Sequence, residues 1–120
     1  LPGAFLIYKA DPENDQILFA NQELVTYAGC KNLDEFMQYS KHSFRNLIRS
    51  DEQEAVEKSM WQQIRSQADG TNDFVQFHFV KKDGSTHPVL DHGRIVESNY
   101  YGNVFYVLIM DCQLLDEHYD

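Results

Sequence analysis

The chain has little that would tie it to a disulfide scaffold, a membrane or a polyanion. Only two of its 120 residues are cysteines, Cys30 and Cys112, which is too few for a disulfide framework and favours reduced thiols in a cytoplasmic setting. No apolar run reaches the length of about 18 residues that spans a bilayer. Ten basic residues stand against 19 acidic ones, and the net charge of -9 disfavours nucleic acid and anionic lipid as partners.

Motifs for metal binding and for nucleophilic catalysis are also lacking. The sequence contains neither a C-x-x-C nor an H-E-x-x-H pattern. His87 and His92 are the nearest pair of histidines, and an odd spacing on a strand would place them on opposite faces. Because no nucleophile with a matching base can be recognised, we expect a protein that is not an enzyme and that holds no metal.

The remaining composition is that of one folded domain. Hydrophobic residues make up 42% of the chain and aromatic residues 13%, which is enough for a modest core. The first residues, Leu1, Pro2 and Gly3, include neither an initiator methionine nor a signal peptide. We therefore expect this domain to be a segment of a larger protein.

The last third of the chain predicts three strands, at residues 74–80, 87–97 and 104–111. Between the first two, Asp83-Gly84 supplies the positive φ that a tight hairpin turn requires. The third strand is apolar on both faces, which is typical of a strand covered on both sides. It is therefore expected at the centre of the sheet, next to the first strand of the chain.

The N-terminal part predicts a hairpin followed by a helix. Residues 4–9 and 16–20 are rich in strand-forming side chains, and a turn cluster separates them, so they are expected to pair antiparallel. Asn21 follows the second strand and can accept a hydrogen bond from the first turn of a helix. Gly29 is a natural stop for that helix.

Three further helical segments are expected before the last three strands. The first begins at position 32 or 33, and the second is a short turn over residues 44–48. Ser50 and Gln53 match a capping box, which predicts the start of a long amphipathic helix that ends near Asp69-Gly70. The predicted fold class is therefore α+β: a five-stranded antiparallel sheet with short helices packed on one face, in the order β-β-α-α-α-α-β-β-β.

Several short motifs, weak one by one, follow a familiar order along the chain. They are Pro2-Gly3-Ala4-Phe5, Ile17-Leu18-Phe19-Ala20-Asn21, Leu47-Ile48-Arg49-Ser50-Asp51-Glu52, Lys81-Lys82-Asp83-Gly84-Ser85 and, at the end of the last strand, Asp111. In this order they resemble the PAS domain, a sensor module of bacterial kinases and cyclic-nucleotide signalling enzymes. Two departures are Ser50 where the family has histidine and Cys112-Gln113 where it has Ile-Thr.

The resemblance implies a domain over residues 1–112 and the start of a linker or signalling helix over residues 113–120. It also implies a ligand cavity between the sheet and the helices. The side chains expected to line that cavity are Tyr8, Tyr27, Phe44, Val56, Met60, Phe77, Phe79, Val89, Asp91, Phe105, Val107 and Ile109. An apolar stripe on the outer face of the sheet is expected to form a homodimer contact, and its members are Leu90, Tyr106, Leu108 and Met110.

Asp91 is the one acidic member of the inward-facing set. An ionised carboxylate is costly in an apolar interior unless it is paired or hydrogen-bonded. One interpretation is that Asp91 anchors an amine or hydroxyl of a ligand, with Gly93 leaving room for the ligand's approach. The alternatives are that it bonds to groups of the fold itself, or that the strand register differs by one residue.

The resemblance also allows cofactors to be weighed. Flavin-linked photosensors of this family need a reactive cysteine on the short helix, which here reads Ser43-Phe44-Arg45-Asn46-Leu47, and haem-binding relatives need a histidine on the long helix. Neither residue is present, so both cofactors are disfavoured, and an unidentified small molecule or no ligand remains. The expected function is a cytoplasmic sensory module that binds a small organic molecule and regulates an output domain such as a kinase or a cyclic-nucleotide signalling enzyme. The alternative is a ligand-free module for interaction or dimerisation.

Overall fold

The computed structural model of the protein describes residues 3–67 and 72–114. Within these residues the strands are β1 (Ala4–Lys9), β2 (Ile17–Ala20), β3 (Asn72–Val80), β4 (Thr86–Ser98) and β5 (Gly102–Asp111). The segment between β2 and β3 contains α1 (Gln22–Tyr27), α2 (Leu33–Ser40), 3₁₀ turns at Phe44–Leu47 and Ser50–Glu52, and α3 (Gln53–Ser66). The predicted α+β class and the element order are confirmed.

The strands form one antiparallel sheet in the order β2-β1-β5-β4-β3. The most apolar strand, β5, lies at its centre, where Phe105 is opposite Tyr8 of β1 and Ile95 of β4. A central strand has neighbours on both edges and is shielded on its inner face by helices, which suits its apolar sequence. The predicted position of the last strand is therefore confirmed.

The turn between β3 and β4 has the expected Asp-Gly chemistry. Gly84 adopts a φ of +87°, in the left-handed region that favours glycine. The backbone N–H of Lys81 donates to the carbonyl of Ser85 at 2.9 Å, and Asp83 Oδ1 accepts from the N–H of Ser85 at 2.9 Å. These bonds close the hairpin and fix the register of β3 against β4.

Asparagines begin the first two helices, as expected. Asn21 Oδ1 accepts from the N–H of Leu24 at 3.0 Å, and Asn32 Oδ1 accepts from the N–H of Glu35 at 2.9 Å. Each bond satisfies one of the N–H groups that a helix start leaves without an intrahelical partner.

The predicted capping box at the start of α3 is wrong. Ser50 lies in a 3₁₀ turn, α3 begins at Gln53, and its N-cap residue Glu52 makes no side-chain cap hydrogen bond. The side-chain amide of Gln53 instead donates to the carbonyls of Arg45 and Ile48, at 3.0 and 3.3 Å. Tertiary bonding to the preceding turn thus replaces the reciprocal cap. The predicted helix end at Asp69-Gly70 lies outside the described residues, as do Pro2 and most of the predicted segment 113–120.

The helices cover one face of the sheet, and side chains alternate across it with the period of two that strands impose. The strand residues expected to line the cavity are buried: Tyr8, Phe77, Phe79, Val89, Asp91, Phe105, Val107 and Ile109. Leu6 on β1 is buried beside them, whereas Val75, which shares this face on β3, is only half-buried. Leu90 and Leu108 on the outer face are only half-buried. The register of β4 is therefore the one expected, with Asp91 facing inward.

Candidate functional site

An aromatic cluster fills the interior around Tyr8. The Tyr8 ring stacks on Phe44 with centroids 4.2 Å apart and packs against Phe105 at 5.0 Å. Phe77 and Phe44 make an edge-to-face contact with ring centroids 6.1 Å apart, and Trp61 of α3 makes a similar contact with Phe105 at 5.5 Å. Strand β1 thus presents Tyr8 to the helices, and the 3₁₀ turn and α3 close over it.

Two carboxylates face the same interior from neighbouring strands. Asp91 of β4 pairs with Val75 of β3, and Asp73 of β3 pairs with Gly93 of β4. Asp73 and Asp91 are fully buried. Neither carboxylate has a hydrogen-bond partner in the part of the chain that the structure describes, and the buried hydroxyl of Tyr8 has none there either.

Gly93 makes room for the Asp73 carboxylate. A Cβ atom at position 93 would lie 2.4 Å from Oδ1 of Asp73, closer than such atoms approach. The space that the sequence assigned to an approaching ligand is therefore filled by this acid. A glycine in a strand interior weakens the strand and often marks such a close approach.

Burial changes the proton affinity of this group of acids. It raises the pKa of Asp91 well above its ordinary value, and the neighbouring Asp73 raises it further. It also raises the pKa of Asp73 to about 7. Burial, followed by the charges of Asp91 and Asp73, raises the pKa of Tyr8. Near neutral pH the cluster must therefore hold protons or a counter-cation.

A small cavity of about 20 Å³ leads from the surface to Tyr8, between the β1–β2 loop and α3. Asp15 on its rim accepts hydrogen bonds from Ser43 Oγ at 2.9 Å and from the N–H of Arg45 at 2.8 Å. Glu57 on the opposite side forms an ion pair with Arg45 at 3.4 Å. The full lining is Tyr8, Asp11, Pro12, Asp15, Phe44, Glu57, Met60 and Trp61.

A second cavity, of about 390 Å³, opens at the other end of β1 and β5. There the hydroxyl of Tyr27 donates to Oδ2 of Asp111 at 2.7 Å, and the ammonium of Lys81 lies 4.4 Å from the centroid of the Tyr27 ring. The lining of this cavity is Gly3, Ala4, Glu23, Tyr27, Ile109, Met110, Asp111 and Leu114.

The structure therefore divides the expected ligand-binding residues among two cavities and the core. Tyr8, Phe44, Met60, Phe77 and Phe105 meet at the first cavity or in the cluster behind it. Tyr27 and Ile109 line the second cavity, with Phe79 against the Tyr27 ring at 5.3 Å. Val56, Val89 and Val107 are buried in the core, together with Asp91.

Sequence reasoning missed Asp73, Asp15 and Glu57 as members of the site. Asp73 could have been predicted. The alternation that turns Val75 and Phe77 inward also turns Asp73 inward, provided that β3 begins two residues earlier than expected. Asp15 and Glu57 carried no such signal, since they belong to a loop and a helix that meet only in the fold.

The described residues contain neither a membrane-spanning helix nor a metal-binding cluster. In residues 3–67 and 72–114, no helix is long and apolar enough to cross a membrane. Over the same ranges, no group of three or more histidine, cysteine or acidic side chains is arranged to hold a metal ion.

Comparison with known proteins identifies the class of the domain and then its family. The architecture is that of a sensory α+β domain, and the profile of the family described as PAS fold matches residues 17–109. The chain therefore belongs to the PAS family, whose members are sensory and signalling modules in kinases and other proteins. A comparison with curated protein sequences finds no significant match.

Solved structures of PAS domains have the same fold. The PAS domain of an HTR-like protein from Haloarcula marismortui is 17% identical, with a TM-score of 0.66 over 92% of this chain and 81% of that one. A PAS domain from a two-component sensor histidine kinase is 14% identical, with a TM-score of 0.63 over 90% and 83% of the two chains. A light-oxygen-voltage domain studied with a flavin analogue is 17% identical, with a TM-score of 0.64 over 98% and 87%.

Proposed function

We propose that this PAS domain is a sensory module that binds a small organic ligand between the sheet and the helices. The proposal rests on one observation. Tyr8, Asp73 and Asp91 are buried, and neither the Tyr8 hydroxyl nor the two carboxylates have a hydrogen-bond partner among the described residues. Ligand binding would shift a pre-existing equilibrium of the domain and so regulate an output domain, such as a kinase or a cyclic-nucleotide signalling enzyme, elsewhere in a longer protein.

Energetics support a ligand at this place. A buried polar group left without a hydrogen bond costs about 1–3 kcal/mol, and more when it is charged. A domain of this size has a free energy of unfolding of only about 5–15 kcal/mol. Three unsatisfied side chains are therefore a large cost, and a ligand that satisfies them would stabilise the folded state in proportion to its occupancy.

The test is to identify what the purified domain carries and what stabilises it. Protein purified under native conditions would be denatured, extracted and analysed by mass spectrometry, and the same protein screened against a metabolite library by thermal shift. We expect a compound that raises the melting temperature of the wild type and loses this effect in Tyr8→Phe. A domain that neither carries nor responds to any small molecule would contradict the proposal.

The proposed role involves no catalysis. Among the described residues, no side chain, nucleophilic or otherwise, hydrogen-bonds to Asp73 or Asp91, and both acids lie behind an aromatic cluster. We also propose a cytoplasmic setting, which fits the buried Cys30 and the absence of a disulfide bond between the two cysteines.

We propose further that the domain takes neither flavin nor haem. Phe44, Phe77 and Phe105 occupy the interior, and the cavity of about 20 Å³ beside Tyr8 has no room for a fused ring system. The 3₁₀ turn at Phe44–Leu47 carries no cysteine, and α3 carries no histidine. Purified protein is therefore expected to show no absorbance band between 350 and 600 nm. A strong band in that range would contradict this.

A second candidate function is favoured by the outer face of the sheet. Tyr106 is 42% exposed there and Phe74 is 55% exposed, with the Phe74 ring stacked on His92 at 4.3 Å. Leu108 and Met110 continue this apolar surface along β5, and Leu90 continues it on β4. Exposed apolar patches of this kind mark interaction sites, so the domain is also a candidate for homodimerisation.

A further inference from the structure

We propose that the side chains of Gln63 and Gln67 on α3, called here the glutamine pair, occupy the open edge of β3 and prevent it from pairing with the same edge of a second copy. The surface concerned is the long edge of the sheet, which the fold keeps closed. Its closure requires no ligand, so the inference stands apart from the proposed function.

Strand β3 is a long edge strand with a sequence that favours pairing. It spans nine residues, and its only strand neighbour in the described sheet is β4. Residues 74–80 include three phenylalanines and two valines but no acidic residue, lysine, arginine, glycine or proline. An exposed edge of this composition is a template for another chain, and natural proteins block such edges.

The glutamine pair bonds to the backbone along this edge. Gln63 Oε1 accepts from the N–H of Phe74 at 2.9 Å, and Gln63 Nε2 donates to the carbonyl of Phe74 at 2.8 Å. Gln67 Oε1 accepts from the N–H of Asn72 at 3.1 Å, and Gln67 Nε2 donates to the carbonyl of Asn72. Each side-chain amide thus gives one donor and one acceptor, as a residue of a neighbouring strand would.

The spacing of the two glutamines matches the strand. Residues four apart lie on one face of a helix and are separated by about 6 Å along its axis. Phe74 and Asn72 are two residues apart on β3, which corresponds to about 6.7 Å in an extended strand. Both positions direct their backbone groups to the same edge, because these groups alternate along an antiparallel strand. One helix face can therefore bond to two successive edge positions.

Other side chains and a turn cover the remainder of the edge. The N–H of His78 donates to Glu52 Oε1 at 2.8 Å, and the carbonyl of His78 accepts from the N–H of Arg49 at 2.9 Å. The carbonyl of Val80 accepts from the hydroxyl of Tyr39. The edge is thus bonded at both of its ends, with exposed Gln76 between them.

A second copy is the partner that fits this edge once the glutamine pair is removed. Two β3 edges related by a two-fold axis present the same residues to each other, and Gln76, the middle residue of β3, then faces its own copy. The chain has a net charge of -9, but residues 74–80 contain no acidic side chain, so two copies meet here with little local repulsion. Strand β2 at the opposite edge has only four residues, and the N–H of Ile17 already donates to the carbonyl of His42 at 2.8 Å.

Hydrogen exchange tests the bonds of the glutamine pair. Gln63→Met and Gln67→Met keep the side-chain length and the helix propensity but remove the amide. We expect the Phe74 amide in Gln63→Met, and the Asn72 amide in Gln67→Met, to exchange at least tenfold faster than in the wild type. Gln62→Met is the matched control, because Gln62 is exposed on the same helix, and it is expected to exchange as the wild type does.

Analytical ultracentrifugation tests the closure of the edge. At a common concentration, the double variant Gln63→Met/Gln67→Met is expected to have at least twice the weight-average mass of the wild type and of Gln62→Met. Adding Gln76→Lys to the double variant places two like charges opposite each other in the paired edge, and lysine on an edge strand opposes pairing. The triple variant is therefore expected to return to the wild-type mass.

The same measurements can overturn the inference. A double variant that is folded and has the mass of Gln62→Met would show that the glutamine pair does not keep the edge closed. A gain in mass that Gln76→Lys leaves unchanged would place the contact elsewhere and would also contradict the inference. If the double variant does not fold, the single variants decide, and masses of Gln63→Met and Gln67→Met equal to that of Gln62→Met would overturn it.

Discussion

Asp73 gives the folded domain an unusual dependence on pH. Its pKa is raised from 3.8 to about 7 by burial, so between these values the folded protein binds a proton that the unfolded chain releases. Its contribution to stability is therefore complete below pH 3.8 and is lost as the pH rises through 7. We predict that Asp73 by itself lowers the free energy of unfolding by up to about 1.4 kcal/mol per pH unit between pH 5 and about 7.

Urea unfolding of the wild type and of Asp73→Asn at several pH values checks this prediction. The variant is expected to show a shallower slope, since Asn does not titrate. Glu35, Asp51 and Glu52 have lowered pKa values, so their stabilising effect is lost only at more acidic pH. The raised pKa values of Asp91 and Glu57 add a slope of the same sign to both proteins, so the difference between the two slopes reports Asp73. Identical slopes for the two proteins would mean that Asp73 is ionised at pH 5 in the fold.

Tyr27 connects α1 to the end of β5 through its bond to Asp111. Burial, and then this hydrogen bond to the carboxylate, raise the pKa of Tyr27. We predict that Tyr27→Phe lowers the free energy of unfolding by about 1 kcal/mol, below the full range for bonds to charged groups because the ring is half-buried. Tyr100→Phe is the control, since Tyr100 is 85% exposed and is expected to change stability little. If Tyr27→Phe and Tyr100→Phe change the free energy of unfolding equally in a urea titration, the bond to Asp111 does not stabilise the domain.

At the scale of elements, Asn21 does more than begin a helix. Its Oδ1 accepts from the N–H groups of Leu24 and Phe5, both at 3.0 Å, and its Nδ2 donates to the carbonyl of Gly3 at 2.8 Å. One side chain therefore attaches α1 to β1. Asn32 begins α2 with a single such bond, to the N–H of Glu35.

This difference makes a matched pair of variants. We predict that Asn32→Ala costs about 1 kcal/mol, the usual loss for a helix cap. Asn21→Ala is expected to cost about 2–3 kcal/mol, because it also leaves the strand groups of β1 without their partner. Chemical denaturation of both variants measures the two losses. Equal losses would indicate that the bonds to β1 add nothing to the cap.

Local sequence signals located most elements but not all of their ends. The helix caps at Asn21 and Asn32 and the turn at Gly84 were predictable because each depends on residues within a few positions along the chain, whereas the bonds of Asn21 to β1 were not. The start of α3 was not predictable, because the side chain of Gln53 bonds to carbonyls of an earlier turn and does not form the cap that the local S-x-x-Q pattern predicts. The first residues of β3 were also missed, since Asn72 and Asp73 favour turns and only pairing with β4 extends them.

For the whole molecule, the apolar character of both faces of β5 predicted the central strand. The alternation of side chains along β4, aligned with the PAS family at Gly84 and Asp111, predicted the inward position of Asp91. The composition of the site was not predictable to the same extent. Asp15 and Glu57 are far apart in the sequence and meet only where a loop and α3 close over Tyr8. A sequence pattern confined to one helix or loop carries no information about which residues of another element will contact it in the fold.

The outer face of the sheet sets the expected assembly of the domain. Tyr106, Leu108 and Met110 form an apolar stripe on β5, and Leu90 lies beside it on β4, opposite Met110. We predict that the domain forms a homodimer through this face. Leu108→Glu would place an uncompensated charge in the contact, which is costly on desolvation, and is expected to weaken dimerisation at least tenfold.

Analytical ultracentrifugation over a range of concentrations measures the dimer dissociation constant directly. The control is Ala55→Glu, which adds the same charge on the exposed side of α3, on the other face of the molecule. Because Leu108 points away from Tyr8 and the interior acids, Leu108→Glu should keep the ligand response of the wild type in the thermal-shift screen. A wild-type domain that stays monomeric, or a Leu108→Glu variant that dimerises as the wild type does, would contradict the prediction and leave the stripe to another segment or partner.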